Sequence, residues 1–348
     1  MKKAFKFLLK FILIIISIIG LAFLYLTLTD YNPDLEVEIS KNENAQTLDK
    51  NSFDMMIWNI GYAGLGDDMD FFYDGGTKVR TTEERTEENL QAITKFIKEK
   101  DFDFILLQEV DVDAKRTYGI NELDTLKKYK QRNYYYAPNY RVKYVPMPLS
   151  EPMGGVEAGL VTISKTDAKR SIRYAFPGNY AWPKSLFLLD RCFMVNRYPT
   201  NNGKELLVIN THNSAFDDGS LKEQQLNILK EFIEDEYKNG NYIVLSGDWN
   251  QNPPNLHNEN FGNYTENTSF ILTSIDDGFF SKEWQFTFDD LKPTNRALTE
   301  NYTEGETPVT ILDFFLVSPN IEIINIETYN LNFKNSDHNP VHLTFNLK

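Results

Sequence analysis

Asn59-Ile60-Gly61, Gln108-Glu109, Asn210-Thr211-His212-Asn213, Asp248-Trp249-Asn250, Asp313 and Ser336-Asp337-His338-Asn339-Pro340 stand at the edges of apolar runs. Carboxylates, amides and histidines are costly to bury without partners. Gathered on one rim of a sheet, such strand ends are a usual address for catalytic groups. Each run also has a bland reading. Glu109 can be a solvated strand end, and Asp248-Trp249-Asn250 a turn. Asp337-His338-Asn339-Pro340 can open a helix or strand, and His212 can be a structural histidine.

The elements that must position these residues alternate along the chain. Strands are expected at 53–60, 104–109, 160–164, 192–198, 206–211, 242–246, 311–317, 322–327 and 342–345. Helices are expected at 81–100 and 221–237, where Leu90, Ile93, Phe96 and Ile97 show the helical spacing of the first. Many strands and few helices predict a layered α/β body with two packed sheets. No internal repeat is present, so one domain is expected over 51–348. Residues 255–305, rich in Asn, Thr and acids, read as long surface loops.

The chain has 348 residues, 41% apolar, which is enough for a core and excludes a largely disordered chain. Its one cysteine, Cys192, excludes an intramolecular disulfide and a multi-cysteine metal site. The net charge of −14 lacks the fold-wide basic footprint of a nucleic-acid binder. A bound divalent cation can still supply positive charge locally. Residues 1–30 hold four of the 36 basic and one of the 50 acidic residues, so the remainder carries −17.

Phe11 to Leu28 contains no charge and is long enough to approach the hydrocarbon thickness of a bilayer. A signal anchor over 11–28 follows, with 1–10 as a basic cytoplasmic tail. A buried core helix and a cleaved signal peptide are the alternatives. Lys2, Lys3, Lys6 and Lys10 precede the span, and the positive-inside rule places the rest of this single-pass chain outside the cytoplasm. The polar segment 29–50 reads as a linker, with an edge strand over 35–39 as the alternative.

The series WNIG, LLQEV, NTHNSAF, GDWN, LDFFLVS, SDHNPV resembles, in order, the endonuclease/exonuclease/phosphatase superfamily, the deoxyribonuclease I-like fold. The resemblance covers about residues 53–346. It implies a four-layer α/β/β/α sandwich, a divalent cation (Mg2+ or Mn2+) and hydrolysis of a phosphoester. It further implies Glu109 as a metal ligand, with Asn59 beside it on metal or phosphate and Asp337 as a second acid near the cation. Asp248 matches the residue that orients or deprotonates the attacking water. Asn250 would bind a phosphate oxygen, and His338, oriented by Asp313, would contact the phosphate. His212 resembles a second histidine able to protonate the leaving group. Glu151 looks like its carboxylate partner, with Glu157 as competitor. His257 and His342 lie outside these motifs, as a loop and a strand residue.

The shared motifs handle only the phosphate and do not choose the substrate. Five tyrosines with Arg141 and Lys143 in 134–148 suit sugars, bases or lipid head groups, or simply core packing. The glycine-rich run 59–68 is a candidate phosphate loop. The expected activity is a membrane-tethered phosphodiesterase, monomeric, acting on a small or lipid phosphodiester. A surface nuclease acting on DNA or RNA is the alternative. The intact site argues against a silent binding module.

Overall fold

The structure is a computed structural model that describes residues 2–178, 180–215, 219–256, 261 and 272–348. His257 lies outside the described residues. With strands numbered in chain order, one sheet has the order β1 (Glu36–Lys41), β6 (Arg170–Ala175), β7 (Cys192–Pro199), β8 (Glu205–His212), β9 (Tyr242–Asp248), β13 (Asp313–Val317) and β10 (Gln285–Thr287). The other has β14 (Ile321–Thr328), β15 (Val341–Leu347), β2 (Ser52–Asn59), β3 (Phe104–Ala114), β5 (Gly154–Ser164) and β4 (Asn133–Val145). A short ladder joins β11 (Asn295–Arg296) to β12 (Val309–Thr310).

Side-chain alternation along the strands builds the layers. In β2, Phe53, Met55 and Ile57 face Met194, Val208, Val244 and Phe315 of the opposite sheet. Met56 and Trp58 point the other way, onto Leu90, Ile93 and Ile97 of α2 (Glu83–Lys100). On the far side, Val195, Leu207 and Ile209 pack against Leu226, Leu229 and Ile233 of α4 (Ser220–Lys238). The order is therefore helix, sheet, sheet, helix, as the resemblance implies. The short α3 (Glu122–Leu126) joins the α2 side.

Two parallel pairings, β2 with β3 and β8 with β9, bring four motif-bearing strand ends to the same edge of the sandwich. Gln108 Nε2 donates to Asn210 Oδ1 at 2.7 Å, tying the two sheets together beneath that edge. Beside it, Gly247 has φ +143°, and a Cβ there would lie 2.0 Å from the Thr211 carbonyl oxygen. Gly247→Ala is expected to lower stability by at least ~2 kcal/mol, because backbone strain and the clash act together. A thermal midpoint equal to that of the parent would contradict this.

Two expectations need correction. Residues 36–41 are not linker but an edge strand, antiparallel to β6 from Glu36↔Tyr174 to Lys41↔Arg170. Its half-buried Val37, Ile39 and Ser40 interrupt an otherwise charged sequence, so the pattern was weak. The tyrosine-rich segment 134–148 is mostly strand β4 and fits the packing alternative, with Tyr135 and Tyr140 buried. Residues 255–305 are not all surface loops, since Thr294, Asn295, Arg296 and Ala297 are buried.

Helix α1 (Lys2–Leu28) is long and apolar enough to cross a membrane, and none of its residues is buried.

Candidate active site

Glu109 sits at an irregularity in the β3–β5 ladder, where the register shifts between Leu107 and Val110, and its φ is +54°. A bulge of this kind re-aims a side chain. Asn59, at the end of β2, donates through Nδ2 to Glu109 Oε1 at 3.1 Å and to Asp248 Oδ2 at 2.9 Å. Its Oδ1 accepts the Gly61 N–H at 3.0 Å. As placed, Asn59 joins two carboxylates and orients Glu109.

Asp248 ends β9, paired in register with Asp313 of β13. Its Oδ1 accepts the Asn250 N–H at 2.9 Å. Asn250, with φ +52°, donates its side-chain amide to the Asn213 carbonyl at 2.9 Å. The pair forms an Asx-type turn that fixes the Asp248 carboxylate from behind. Burial pushes Asp248 above the usual carboxylate range.

His338 Nδ1 lies 2.7 Å from Asp313 Oδ2, both side chains buried. Its Nε2 faces Asp337 Oδ2 and Asp248 Oδ2, each at 3.8 Å. Burial opposes the charged ring, but Asp313, Asp337 and Asp248 outweigh it and push His338 up to about 10. Asp313 thus holds a proton on Nδ1, and the three carboxylates favour the charged ring. Its loop is held by Trp58 Nε1, which donates to the His338 carbonyl at 2.9 Å, and by Ser336 Oγ, which donates to the Asn59 carbonyl at 2.8 Å. Burial and the charge of Glu109 push Asp337 up to about 6, with His338 and Arg296 acting against them.

His212 Nε2 stands 3.4 Å from Asp248 Oδ2 and 3.9 Å from Glu109 Oε1. Burial dominates there and, with Arg191, His338 and Arg116, holds its pKa well below the usual histidine range. A neutral ring can donate one N–H but is not a strong acid, so the expectation of leaving-group protonation by His212 loses support. Its expected partner is also elsewhere. Glu151 is 61% exposed and pairs with Arg80 at 3.3 Å, while Glu157 pairs with Arg141 at 3.1 Å. The proline-bounded turn carries Glu151 away, and His212 Nδ1 has no hydrogen-bond partner among the described residues. His342 lies on β15 and bonds Asp54 at 2.8 Å, outside the site.

These residues floor a cavity of about 490 Å³ whose walls include Tyr62, Phe71, Tyr140, Phe187 and Leu189. Three wall or rim residues escaped the sequence reading. Asn295 Nδ2 lies 2.9 Å from His338 Nε2. Arg296 donates to the Leu65, Gly66 and Met69 carbonyls, closing the 59–69 loop over the site. Arg116, paired with Asp111 at 2.8 Å, lies 3.6 Å from the centre of the Tyr62 ring. Only the polar triplet Thr294-Asn295-Arg296 beside Pro293 could have flagged the first two, and turn-like composition hides it.

A profile of the Endonuclease/Exonuclease/phosphatase family matches residues 56–338, which spans this entire constellation. The chain belongs to that family. Its members are generally phosphoester hydrolases. Among solved structures, a family member from Beutenbergia cavernae superposes with a TM-score of 0.59 at 18% identity, over 86% of this chain and 72% of that one. ANGEL2, a 2',3'-cyclic phosphatase in complex with adenosine-2',3'-vanadate, gives 0.54 at 18%, over 88% and 99%. D. rerio TDP2 with single-strand DNA product gives 0.54 at 12%, over 85% and 99%. At such identities these likenesses speak to the fold. No curated protein matches the sequence.

Family enzymes typically use divalent metals, and the donor set here fits one. Glu109 and Asp337 both line the cavity, and Asp337 feels the charge of Glu109. Asp248, Asp313 and His338 also place ligand atoms within 4.8 Å of one another. His338 and Asp313 are paired through Nδ1 and Oδ2, which leaves the oxygens of Glu109, Asp337 and Asp248 facing the cavity. Hard oxygen donors are what Mg2+ selects.

Proposed function

We propose that this family member is a Mg2+- or Mn2+-dependent phosphodiesterase of a small or lipid phosphodiester, tethered by α1 to the outer face of a membrane. The observation that supports it best is the His338 ring, with Nδ1 on Asp313 and Nε2 facing Asp248 and Asp337, on the floor of a largely apolar cavity. When bound by Glu109 and Asp337, the cation supplies positive charge against the phosphoester oxygens. Asp248, held by Asn59 and Asn250, is placed to take a proton from the attacking water. His338 turns Nε2 to the cavity beside Asn295, and the pairing of its Nδ1 with Asp313 favours positive charge there against the more anionic transition state. His212 donates a neutral N–H. Asn250 has a second amide hydrogen for a phosphate oxygen. The basic start of the chain favours the outward orientation.

The test is a panel in Mg2+: bis-p-nitrophenyl phosphate, sphingomyelin, phosphatidylinositol phosphates, plasmid and single-stranded DNA. A small or lipid ester is expected to show kcat/KM at least ~10-fold above DNA, because duplex affinity relies on several Lys/Arg contacts that a net charge of −14 does not favour. The reverse ranking would favour the nuclease reading, which the TDP2 likeness keeps in view.

Cation binding has its own readout. Asp337 is lifted from 3.8 to about 6, so the metal-free fold loses stability as pH rises through that window. At pH 8, Mg2+ at 100 times its dissociation constant should add about 2.7 kcal/mol. At pH 5, where Asp337 holds a proton, the gain should shrink. A melting midpoint indifferent to Mg2+, Mn2+ and chelator at pH 8 would remove the cation from this site.

A further inference from the structure

The wall of the substrate cavity and the membrane helix share one short segment, residues 181–189. On its inner side, Lys184, Phe187, Leu188 and Leu189 line the cavity that holds Asp248 and His338. On its outer side it touches α1. The Phe23 ring meets Trp182 at 6.1 Å and Phe187 at 6.2 Å, both edge-on. Trp182 Nε1 donates to Thr27 Oγ1 at 3.2 Å. Phe23 and Leu26 are only partly exposed, unlike the residues around them, so α1 presents one narrow stripe to this segment. Just past the helix, Arg141 and Arg173 stand 5.3 and 5.7 Å from the Tyr31 ring centre and fix the exit of α1 on the domain.

The depth of these contacts matters. Phe23 lies five residues inside Leu28, where the uncharged run ends. At a rise of 1.5 Å per residue it sits roughly 7 Å below the end of the span. A loop that touches Phe23 cannot stay in bulk water when α1 crosses a bilayer. Trp182 is 63% exposed, an expensive position in water but the favoured one for tryptophan at the boundary of hydrocarbon and headgroups. Pro183 and Lys184 beside it are also exposed, and a lysine there can reach lipid phosphates.

We propose that residues 181–189 form an interfacial wall seated in the outer leaflet beside α1, and that the cavity behind this wall takes the phosphoester of an amphiphile resident in the bilayer. The proposal rests on the hydrolase reading above and on α1 crossing the membrane. Phe187 is the hinge of the argument, since it touches the anchor on one face and the cavity on the other. The substrate's polar phosphoester would pass this wall to reach Asp248 and His338 while its alkyl chain stays in lipid.

The experiment uses the full chain in phosphatidylcholine/phosphatidylglycerol vesicles, with two measurements. In the first, tryptophan emission is quenched by lipids brominated near the headgroups. Trp58, Trp249 and Trp284 are buried in the domain. The quenchable part should therefore vanish in Trp182→Phe. Equal quenching of parent and variant would overturn the seating of the wall. In the second, two phosphodiesters with the same leaving group are compared, methyl p-nitrophenyl phosphate in water and hexadecyl p-nitrophenyl phosphate in the vesicles. The hexadecyl ester should show kcat/KM at least tenfold higher. Phe23→Ala should erase most of that advantage and leave the methyl ester unchanged. Equal turnover of both esters, equal loss of both in Phe23→Ala, or faster cleavage of a single-stranded oligonucleotide would overturn delivery from the bilayer. Turnover of neither ester would overturn the hydrolase reading instead, and the quenching result would still decide where the wall sits.

Discussion

Asp248→Asn is expected to reduce kcat by about 10²- to 10⁴-fold, the usual scale for a general base. The side chain keeps its shape, and its remaining oxygen can still accept the Asn250 N–H while the amide gives up the Asn59 contact. What it loses is the ability to accept a proton from water. Burial already lifts Asp248 above the ordinary carboxylate range, which makes it a stronger base than an exposed aspartate. Initial rates and a melting curve on the same preparation separate the two effects. A folded variant that turns over within threefold of the parent would assign the water to another residue.

His338→Ala is expected to cost as much activity and to destabilise the fold as well. Asp313 is fully buried, and its Oδ2 is paired with His338 Nδ1 at 2.7 Å. Removing the cation strands that carboxylate, at a cost of about 3–5 kcal/mol. The double change His338→Ala/Asp313→Asn removes both charges. It should recover much of the stability while remaining inactive. If the double variant melts as early as the single one, the pair is not what the site loses. The Trp58 bond to residue 338 is to its carbonyl, so the loop keeps its anchor in both variants.

How far the sequence carries can be judged at particular residues. The strands bearing Asn59, Glu109, His212, Asp248 and Asp313 were legible because each is a dense apolar run closed by a polar group. Their convergence followed from the family order of those runs. Glu151 failed because a short motif fixes residue types and not the direction of a turn, and Arg80 captures that carboxylate. The acid role of His212 is opposed by its surroundings. Sequence shows a histidine near acids, but the fold also sets Arg191, His338 and Arg116 around it and takes it out of water. Asn295 and Arg296 were hidden because a two-residue strand has no periodicity to read. Strand β1 ranks second to a linker in the sequence because of its charge, since an edge strand satisfies its backbone on one side and can keep its side chains polar.

The place of β1 also bears on how the domain can be isolated. A fragment beginning near residue 51, where the apolar strands start, would strip Glu36–Lys41 from β6 and leave the N–H and C=O groups of that strand open along one side. An open edge of this kind invites pairing between molecules. It would also remove Tyr31 from between Arg141 and Arg173. A fragment beginning at Asp30, just beyond the apolar span, keeps both features and should be the one that stays dispersed in solution.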